Sequence, residues 1–292
     1  MAAQVCWEIT GCAATSNFEI ALIMPMTTLQ PSSKLSRRPV SMRTERLSLR
    51  YGEKMAFQDI SLEIPAQQIT AIVGPSGSGK SSFLNCLNRL SDLTAGCQVT
   101  GKAYLAGQNI FDPKLDVIAL RRRVGMLFQQ PNPFPFSIYK NLAFPLREHG
   151  CKDRTEIDHR IESSLKAVGL WDEVKDCLKR SALRLSGGQQ QRLCLARTLA
   201  LKPEVILMDE PCSALDPIST QVIEDLIREL GDRHTIVIVT HNLAQARRIA
   251  HQTALFWTQE NCGKLIEVAP TAQFFEQPKN PLTQAYVSGL QG

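Results

Sequence analysis

The chain has 292 residues, of which 43% are hydrophobic and 21% charged, and its net charge is +5. This composition is that of an ordinary globular protein with a large buried core, and so modest a charge gives no general support for nucleic-acid binding. The nine cysteines form no C-x-x-C pair, which favours a reduced, cytoplasmic chain with buried free thiols. No run of 18 apolar residues occurs, so the sequence predicts no membrane-spanning helix.

The first 41 residues differ in composition from the rest of the chain. They lack sustained hydrophobic periodicity and end in a stretch rich in Pro, Ser and Arg, from Pro31 to Ser41. Such a segment is typical of disorder, and we expect residues 1–41 to be a flexible N-terminal extension. Residues 42–292 are then expected to form the folded domain.

Short strands are predicted at the start of that domain. Leu47–Tyr51 and Phe57–Ile64 lie on either side of Gly52-Glu53, and the second of them alternates apolar and polar residues. Val99–Asn109 predicts a further hairpin.

A glycine-rich octapeptide, Gly74–Ser81, lies between an apolar run, Ile69–Val73, and a helical stretch, Ser81–Leu90. It satisfies G-x-x-x-x-G-K-[ST], a loop whose backbone N–H groups surround nucleotide phosphates. Lys80 is expected to reach the β- and γ-phosphates, and the Ser81 hydroxyl to bind Mg²⁺. The alternative is a purely structural glycine-rich turn. The predicted ATP-binding residues here are Gly74, Pro75, Ser76, Gly77, Ser78, Gly79, Lys80, Ser81 and Ser82.

A second phosphate-binding pattern lies downstream of a proline-dense loop, Gln129–Pro135, and an amphipathic helical region, Ser137 to about Leu178. The glycines of Leu185-Ser186-Gly187-Gly188-Gln189 lie just before a predicted helix, Gln189–Leu201, with Ser186 placed as its N-cap. Helix N-termini bind anions through unpaired N–H groups and the dipole, although S-G-G alone is common in loops. An ordinary kinase or GTPase needs one phosphate-binding loop, and this chain has two.

Polar side chains end two buried strands further along the chain. Val205–Met208 and Thr235–Val239 are short, unalternating apolar runs with a helical stretch between them, which predicts parallel strands covered on both faces. Asp209-Glu210 follows the first run, and His241 lies at the end of the second. Adjacent acids at a strand end are often merely solvated, and a lone His there is often a satisfied polar residue. A strand and a helix, Gly263–Val268 and Thr271–Gln277, are expected to close the chain.

The glycine loop at 74–81 and the Leu185–Gln189 segment together resemble the ATP-binding subunits of ABC transporters, over about Arg46 to Gly289. Within that family the chain is most similar to the phosphate-import ATPases of bacteria, through the segments Leu120–Gln129, Pro131–Pro135 and Asp216–Thr220. The resemblance implies an α/β P-loop NTPase core, a small antiparallel β-subdomain and an inserted helical subdomain at about residues 130–185.

The resemblance also implies roles for particular residues. Glu210 is expected to be the general base for the attacking water, and His241 the switch histidine that contacts the γ-phosphate. Mg²⁺ would be bound by Ser81, by Asp209 through water, and by Gln129, although spacing alone does not exclude the neighbouring Gln130. Tyr51 would stack on adenine; the alternative is an exposed hairpin tyrosine. Asp216 would belong to the D-loop, which links the two ATP sites of a dimer. Ser186, Gly187, Gly188 and Gln189 would close over ATP bound to a second copy.

Cys212 departs from the family pattern, because a Thr or Ser is usual two residues after the base. It adds an oxidisable thiol beside the site without removing a catalytic atom.

The function implied is ATP hydrolysis that powers phosphate uptake at the cytoplasmic face of the inner membrane. The partners would be a second copy of the chain, two transmembrane permease subunits and, indirectly, a periplasmic phosphate-binding protein. Two alternatives are importers of another solute, such as an amino acid or phosphonate, and a soluble ABC ATPase acting on nucleic acid. The single P-loop and the absence of heptad repeats disfavour the second alternative, and we expect no nucleic-acid partner.

The proline-dense loop carries two aromatic residues, Phe134 and Phe136. Pro131, Pro133 and Pro135 stiffen it by fixing their own φ and extending the residues before them. We expect the rings to form an apolar binding surface for the permease; the alternative is that both pack into the helical subdomain.

Overall fold

The computed structural model describes residues 40–290. Most of the predicted extension, residues 1–39, lies outside the described residues. Residues 40 and 41 belong to the first strand. None of the described helices is long and apolar enough to cross a membrane.

The described part of the chain alternates strands and helices after an initial group of strands. The strands are β1 (Val40–Tyr51), β2 (Lys54–Ile60), β3 (Glu63–Pro65), β4 (Ile69–Val73), β5 (Cys97–Leu105), β6 (Gln108–Asn109), β7 (Val124–Leu127), β8 (Val205–Asp209), β9 (Thr235–Val239), β10 (Gln252–Gln259) and β11 (Cys262–Pro270). The α-helices are α1 (Lys80–Leu87), α2 (Val117–Arg123), α3 (Ile138–Glu148), α4 (Arg154–Ala167), α5 (Trp171–Val174), α6 (Gly187–Ala200), α7 (Pro217–Gly231), α8 (Leu243–Ile249), α9 (Thr271–Glu276) and α10 (Pro281–Val287).

The strands form one mixed sheet in the order β6-β5-β1-β2-β11-β10-β4-β9-β8-β7, with β3 paired to β1. The strands β10, β4, β9, β8 and β7 are parallel neighbours. Every residue of β4 and β9 is buried, as expected for parallel strands covered on both faces. The pairs β6–β5, β5–β1 and β1–β2 are antiparallel. The expected P-loop core and antiparallel β-subdomain are therefore both present.

The helix after the glycine loop is fixed to the sheet by aromatic packing. Phe83 of α1 lies between Phe57 of β2 and Phe256 of β10, at ring-centroid distances of 5.7 and 5.2 Å. All three side chains are fully buried. Such pairs contribute about 0.5–1.5 kcal/mol each beyond the apolar area that they bury, so the start of α1 has a well-defined position between the antiparallel and parallel parts of the sheet.

The region between the proline-dense loop and α6 is helical, as the periodicity predicts, and contains α3, α4 and α5. Pro145 lies inside α3, and Gly150, at φ +87°, lies between α3 and α4. The left-handed conformation of Gly150 cannot continue a right-handed helix, so α3 ends before it. Glycine adopts this conformation readily because it has no Cβ. The side chains of Ser137 and Asp153 cap the N-termini of α3 and α4. These helices lie within the predicted bounds of 130–185.

Candidate active site

The glycine loop follows β4 and leads into α1, as the motif requires. A Cβ on Gly74, at φ +143°, would lie 1.9 Å from the Phe256 carbonyl oxygen, and one on Gly79, at φ +86°, 2.8 Å from that of Ala56. Backbone from β10 and β2 therefore excludes side chains at both positions. A Cβ on Gly77 would meet no atom within 4 Å. The N-cap of α1, Gly79, supplies no side-chain hydrogen bond, so this helix N-terminus retains donors for an anion.

The Lys80 ammonium group lies against its own loop. The side chain is buried, and Nζ donates to the Pro75 carbonyl oxygen at 2.7 Å and lies 3.4 Å from Ser78 Oγ. Burial lowers the pKa of Lys80, whereas the nearby carboxylates of Glu210 and Asp209 raise it. The hydrogen-bond acceptors of the Lys80 ammonium group in the glycine loop are thus uncharged oxygens.

Ser81 and Asp209 meet although they are far apart in the sequence. The Ser81 hydroxyl donates to Asp209 Oδ1 at 2.9 Å. Burial raises the pKa of Asp209, the hydrogen bond from Ser81 lowers it, and Glu210 raises it further. Hydroxyl and carboxylate oxygens are ligands that Mg²⁺ accepts readily, so the pair predicted to bind the metal has suitable chemistry and lies together.

Two further predicted residues, Gln129 and His241, converge on the carboxylate of Glu210. Glu210 Oε2 accepts a hydrogen bond from Gln129 Nε2 at 3.2 Å and lies 3.1 Å from His241 Nδ1. Glu210 has φ +43°, and its backbone N–H donates to the Val239 carbonyl oxygen at 2.9 Å. A non-glycine residue in this region is strained by about 1–3 kcal/mol. The contact with Gln129, rather than with Gln130, favours Gln129 as the site residue.

The sheet explains why these residues meet. The glycine loop, His241 and Gln129 follow β4, β9 and β7, while Asp209 ends β8 and Glu210 follows it; these are four adjacent parallel strands. The carboxyl ends of parallel strands share one edge of a sheet, where ligands of open α/β folds bind.

An open cleft of about 360 Å³ runs beside this edge. It brings Tyr51 together with the glycine loop and Glu210. It is lined by Tyr51, Lys54, Met55, Ala56, Ser76, Gly77, Gly79, Lys80, Ser81, Ser82, Glu210 and Asn261. The sequence reasoning missed Lys54, Met55, Ala56 and Asn261, which lie in or near hairpin turns that only the folded sheet brings close. A larger cavity of about 1070 Å³ beside α3 contains none of the predicted site residues.

The Leu185–Gln189 segment lies elsewhere, since none of its residues lines this cleft. Ser186 and Gln189 form a capping box at the start of α6. A Cβ on Gly188 would lie 2.7 Å from Ser219 Oγ, which places the segment against the start of α7. There Asp216 accepts hydrogen bonds from the backbone N–H groups of Ile218 and Ser219, both at 3.0 Å, and from Ser219 Oγ at 2.6 Å.

Comparison with known proteins identifies the family. The sequence profile of the ABC transporter family matches residues 57–213. The chain belongs to the ABC transporter family. It is 55% identical over 251 residues to the phosphate import ATP-binding protein PstB 1 of Nitrosococcus oceani, an alignment that covers 86% of this chain and 91% of that protein. The resemblance drawn from the sequence is therefore confirmed.

A solved ABC transporter structure shows the same fold. CbiO1 of Clostridium perfringens, part of the ABC transporter complex cbiONQ, aligns with a TM-score of 0.69 at 24% identity, over 82% of this chain and 91% of that one. At this identity the likeness concerns the fold, and it confirms the expected α/β P-loop architecture.

Two charged residues near Leu185–Gln189, which is the signature segment of the ABC family and begins the signature helix α6, were not predicted from the sequence. Glu173 accepts hydrogen bonds from Gln189 Nε2 at 2.8 Å and from Arg192 Nη1 at 2.7 Å. The Arg192 hydrogen bond is the largest cause that lowers the pKa of Glu173. Because Glu173 comes from the helical region and the other two from α6, these contacts attach that region to the signature helix.

Cys212, the departure from the ABC pattern, is buried. Burial raises the pKa of its thiol to about 11, although a hydrogen bond with Gln245 opposes the shift. The thiol is therefore protonated at neutral pH and much less reactive than a thiolate. It lines a small cavity of about 210 Å³ with Glu210 and His241.

The two rings of the proline-dense loop have different environments. Phe134, Phe136 and Phe144 form a cluster with ring centroids 5.9–6.2 Å apart. Phe136 and Phe144 are 43% and 46% exposed, whereas Phe134 is partly buried, with the Arg197 guanidinium 4.3 Å from its ring centroid. The exposed part of this cluster is formed by Phe136 and Phe144, and the binding of the rings to a permease stays a prediction. We call these three residues the aromatic cluster.

Proposed function

We propose that this chain is the ATP-hydrolysing subunit of an ABC importer that takes up inorganic phosphate through separate permease subunits. The observation that carries the hydrolytic part is the convergence of Lys80, Ser81, Asp209, Glu210 and His241 at the carboxyl edge of the parallel strands. The identity of 55% with a phosphate import ATP-binding protein supports phosphate as the solute.

The glycine loop fits the phosphates of ATP. Lys80 Nζ can exchange the Pro75 carbonyl oxygen for phosphate oxygens, and the start of α1 offers backbone N–H groups and a favourable dipole. Tyr51 lines the same cleft at the expected place for adenine, where stacking would use its ring face. Ser76 and Ser82 line the cleft beside them.

Ser81, Asp209 and Gln129 would hold Mg²⁺. The Ser81 hydroxyl and the Asp209 carboxylate are already within hydrogen-bonding distance of one another, and the Gln129 side chain reaches Glu210 beside them. A Mg²⁺ ion held there would supply positive charge against the negative charge that develops on the phosphate oxygens during hydrolysis.

Glu210 is placed to accept a proton from the attacking water. Gln129 and His241 both contact its Oε2 and so fix the orientation of the carboxylate. Since His241 uses Nδ1 for this contact, its Nε2 remains to contact the γ-phosphate. His241 is 62% exposed and is therefore accessible to a bound nucleotide.

The site is completed by a second copy of the chain. The signature residues Ser186, Gly187, Gly188 and Gln189 do not line the cleft of their own chain, yet the N-terminus of α6 suits a phosphate. Two-fold symmetry would give each cleft the signature of its partner. Asp216, already bonded at the start of α7, would lie at the junction between the two sites.

The complete importer would contain two such chains at the cytoplasmic face of the inner membrane, bound to two transmembrane permease subunits. A periplasmic phosphate-binding protein would deliver the solute from the other side. ATP binding would close the pair of chains and hydrolysis would open it, and the permease would change its access accordingly.

Uptake by intact cells tests the solute. Disruption of the gene should abolish uptake of labelled phosphate at low external phosphate and leave amino-acid uptake unchanged. Restoring the wild-type chain should recover phosphate uptake, whereas the matched Glu210→Gln chain should not. Unchanged phosphate uptake combined with loss of amino-acid or phosphonate uptake would favour an importer of another solute. A chain whose ATPase activity depends on nucleic acid would support a nucleic-acid function instead.

A further inference from the structure

Gln191 joins two loops of the site although no part of it faces the nucleotide cleft. It is fully buried in α6, two residues after the last signature residue, Gln189. Its Nε2 group donates to the carbonyl oxygen of Phe128 at 3.2 Å and to that of Pro211 at 3.1 Å. One side-chain amide therefore connects two backbone segments.

These two segments carry the residues that meet at the general base. Phe128 immediately precedes Gln129, and Pro211 immediately follows Glu210. The β7–β8 ladder ends with the pair Leu127–Met208, so the Gln191 amide connects the two segments just beyond their last backbone pairing. The Gln129–Glu210 contact of 3.2 Å joins the two residues that adjoin the anchored carbonyls in the sequence.

Packing alone does not explain a glutamine at this position. Its Oε1 is buried and has no hydrogen-bond partner among the described residues. A buried polar atom without a partner is costly, whereas an apolar side chain of the same shape would avoid that cost. The two donated hydrogen bonds are the distinctive contribution of this side chain.

We propose that Gln191 is a positioning residue for ATP hydrolysis. It sets the separation of Gln129 and Glu210, and because it belongs to α6 it makes that separation depend on the position of the signature helix. Movement of α6 against a second copy would then change the geometry of the general base in the same chain. The inference rests on the proposed hydrolytic role of Glu210.

The substitution Gln191→Met tests this role, because methionine has similar length and volume but lacks both donors. We expect kcat of the purified full-length chain to fall about tenfold or more, since small displacements of a reacting group have large effects. The KM for ATP and equilibrium ATP binding should stay within about twofold, because the glycine loop is untouched. Thr44→Val is the matched control: Thr44 is also buried and bonds the backbone of Ile60 and Leu62, and none of these three residues lines the cleft. It should lower the melting temperature without lowering kcat.

A double-mutant cycle separates positioning from general destabilisation. If Gln191 acts through the Gln129–Glu210 contact, Gln191→Met should reduce kcat much less in a Gln129→Ala background than in the wild type. An equal reduction in both backgrounds, a change of less than twofold in kcat, or an equal loss of kcat in Thr44→Val would overturn the proposal.

If Gln191→Met does not fold, Gln191→Asn takes its place, since its shorter side chain keeps an amide but cannot reach both carbonyls. If neither variant folds, the role of Gln191 is structural and the proposal fails. A wild-type chain without ATPase activity would instead contradict the proposed function.

Discussion

The substitution Glu210→Gln removes a charge from the site while it preserves the shape of the side chain. Glu210 Oε2 meets both Gln129 Nε2, at 3.2 Å, and His241 Nδ1, at 3.1 Å. A glutamine can place its carbonyl oxygen at the same point and keep both contacts. The Glu210 side chain is 20% exposed, so the new amide group can reach solvent. We therefore expect the free energy of unfolding to change by no more than about 1 kcal/mol.

Hydrolysis should respond far more strongly than stability. An amide is not a base at neutral pH, and loss of a general base slows a reaction by ~10²–10⁴, which is roughly 3–5 kcal/mol of activation free energy. ATP binding should persist, because the Glu210 carboxylate contributes negative charge close to Lys80 and Asp209. Removal of the Glu210 charge lowers the electrostatic repulsion between the site and the phosphates of ATP. The variant should therefore accumulate as an ATP-bound, closed dimer.

The measurements are phosphate release at saturating ATP, equilibrium ATP binding, and the size of the particle in solution with and without ATP. Glu204→Gln is the matched control, since Glu204 forms an exposed ion pair with Arg123 away from the cleft. Such pairs are worth about 0.2–1 kcal/mol, and the control should keep normal ATPase activity. If Glu210→Gln hydrolyses ATP within about twofold of the wild-type rate, Glu210 is not the general base.

Three other perturbations have outcomes set by the structure. Gly188→Ala should destabilise the isolated chain by about 1–3 kcal/mol, because the added Cβ would lie 2.7 Å from Ser219 Oγ. Gly187→Ala should not destabilise it, because its Cβ would have its nearest contact at 3.9 Å. Chemical denaturation measures the free energy of unfolding of both variants. The raised pKa of Cys212 means that its stabilising contribution is present below the unfolded pKa of 9.0 and is lost as pH rises towards about 11. The melting temperature of Cys212→Ser should therefore fall less between pH 8 and 11 than that of the wild type, and equal falls would contradict the burial argument. Phe136→Asp should leave the melting temperature of the free chain nearly unchanged, because Phe136 is 43% exposed, but should prevent co-purification with the permease; continued co-purification would exclude Phe136 from the docking surface.

The buried parallel strands were the most predictable part of the fold. Ile69–Val73 and Thr235–Val239 coincide with β4 and β9, and Val205–Met208 lacks only the last residue of β8. An apolar run without alternation carries its own signal, since both faces of the strand are covered. The glycine loop was also predictable from local sequence, because all the residues of its motif are contiguous.

Elements whose residues depend on distant contacts were missed. β7 has only four residues, and Gly125 within it is required because a Cβ would lie 2.4 Å from Thr198 Cγ2 of α6. The sequence around Gly125 gives no indication of this contact with Thr198. Gln191 is a similar case, because its two acceptors lie 63 and 20 residues away. The roles of Tyr51 and Gln129 in ATP and Mg²⁺ binding stay predictions, although the structure places both residues beside the predicted site.

Helix α6 contacts both ends of the segment from Phe128 to Pro135, which contains Gln129 and the Phe134 ring of the aromatic cluster. Gln191 binds the Phe128 carbonyl oxygen at one end. At the other end, Arg197 Nη2 donates to Asn132 Oδ1 at 2.9 Å, and its guanidinium lies over the Phe134 ring. Burial lowers the pKa of Arg197 without removing its charge at neutral pH. Because three prolines stiffen this segment, displacement of α6 should move it as a unit. If the aromatic cluster binds the permease, as expected from the sequence for Phe134 and Phe136, a movement of the permease would displace Gln129 and α6 together, without a conformational change within the loop.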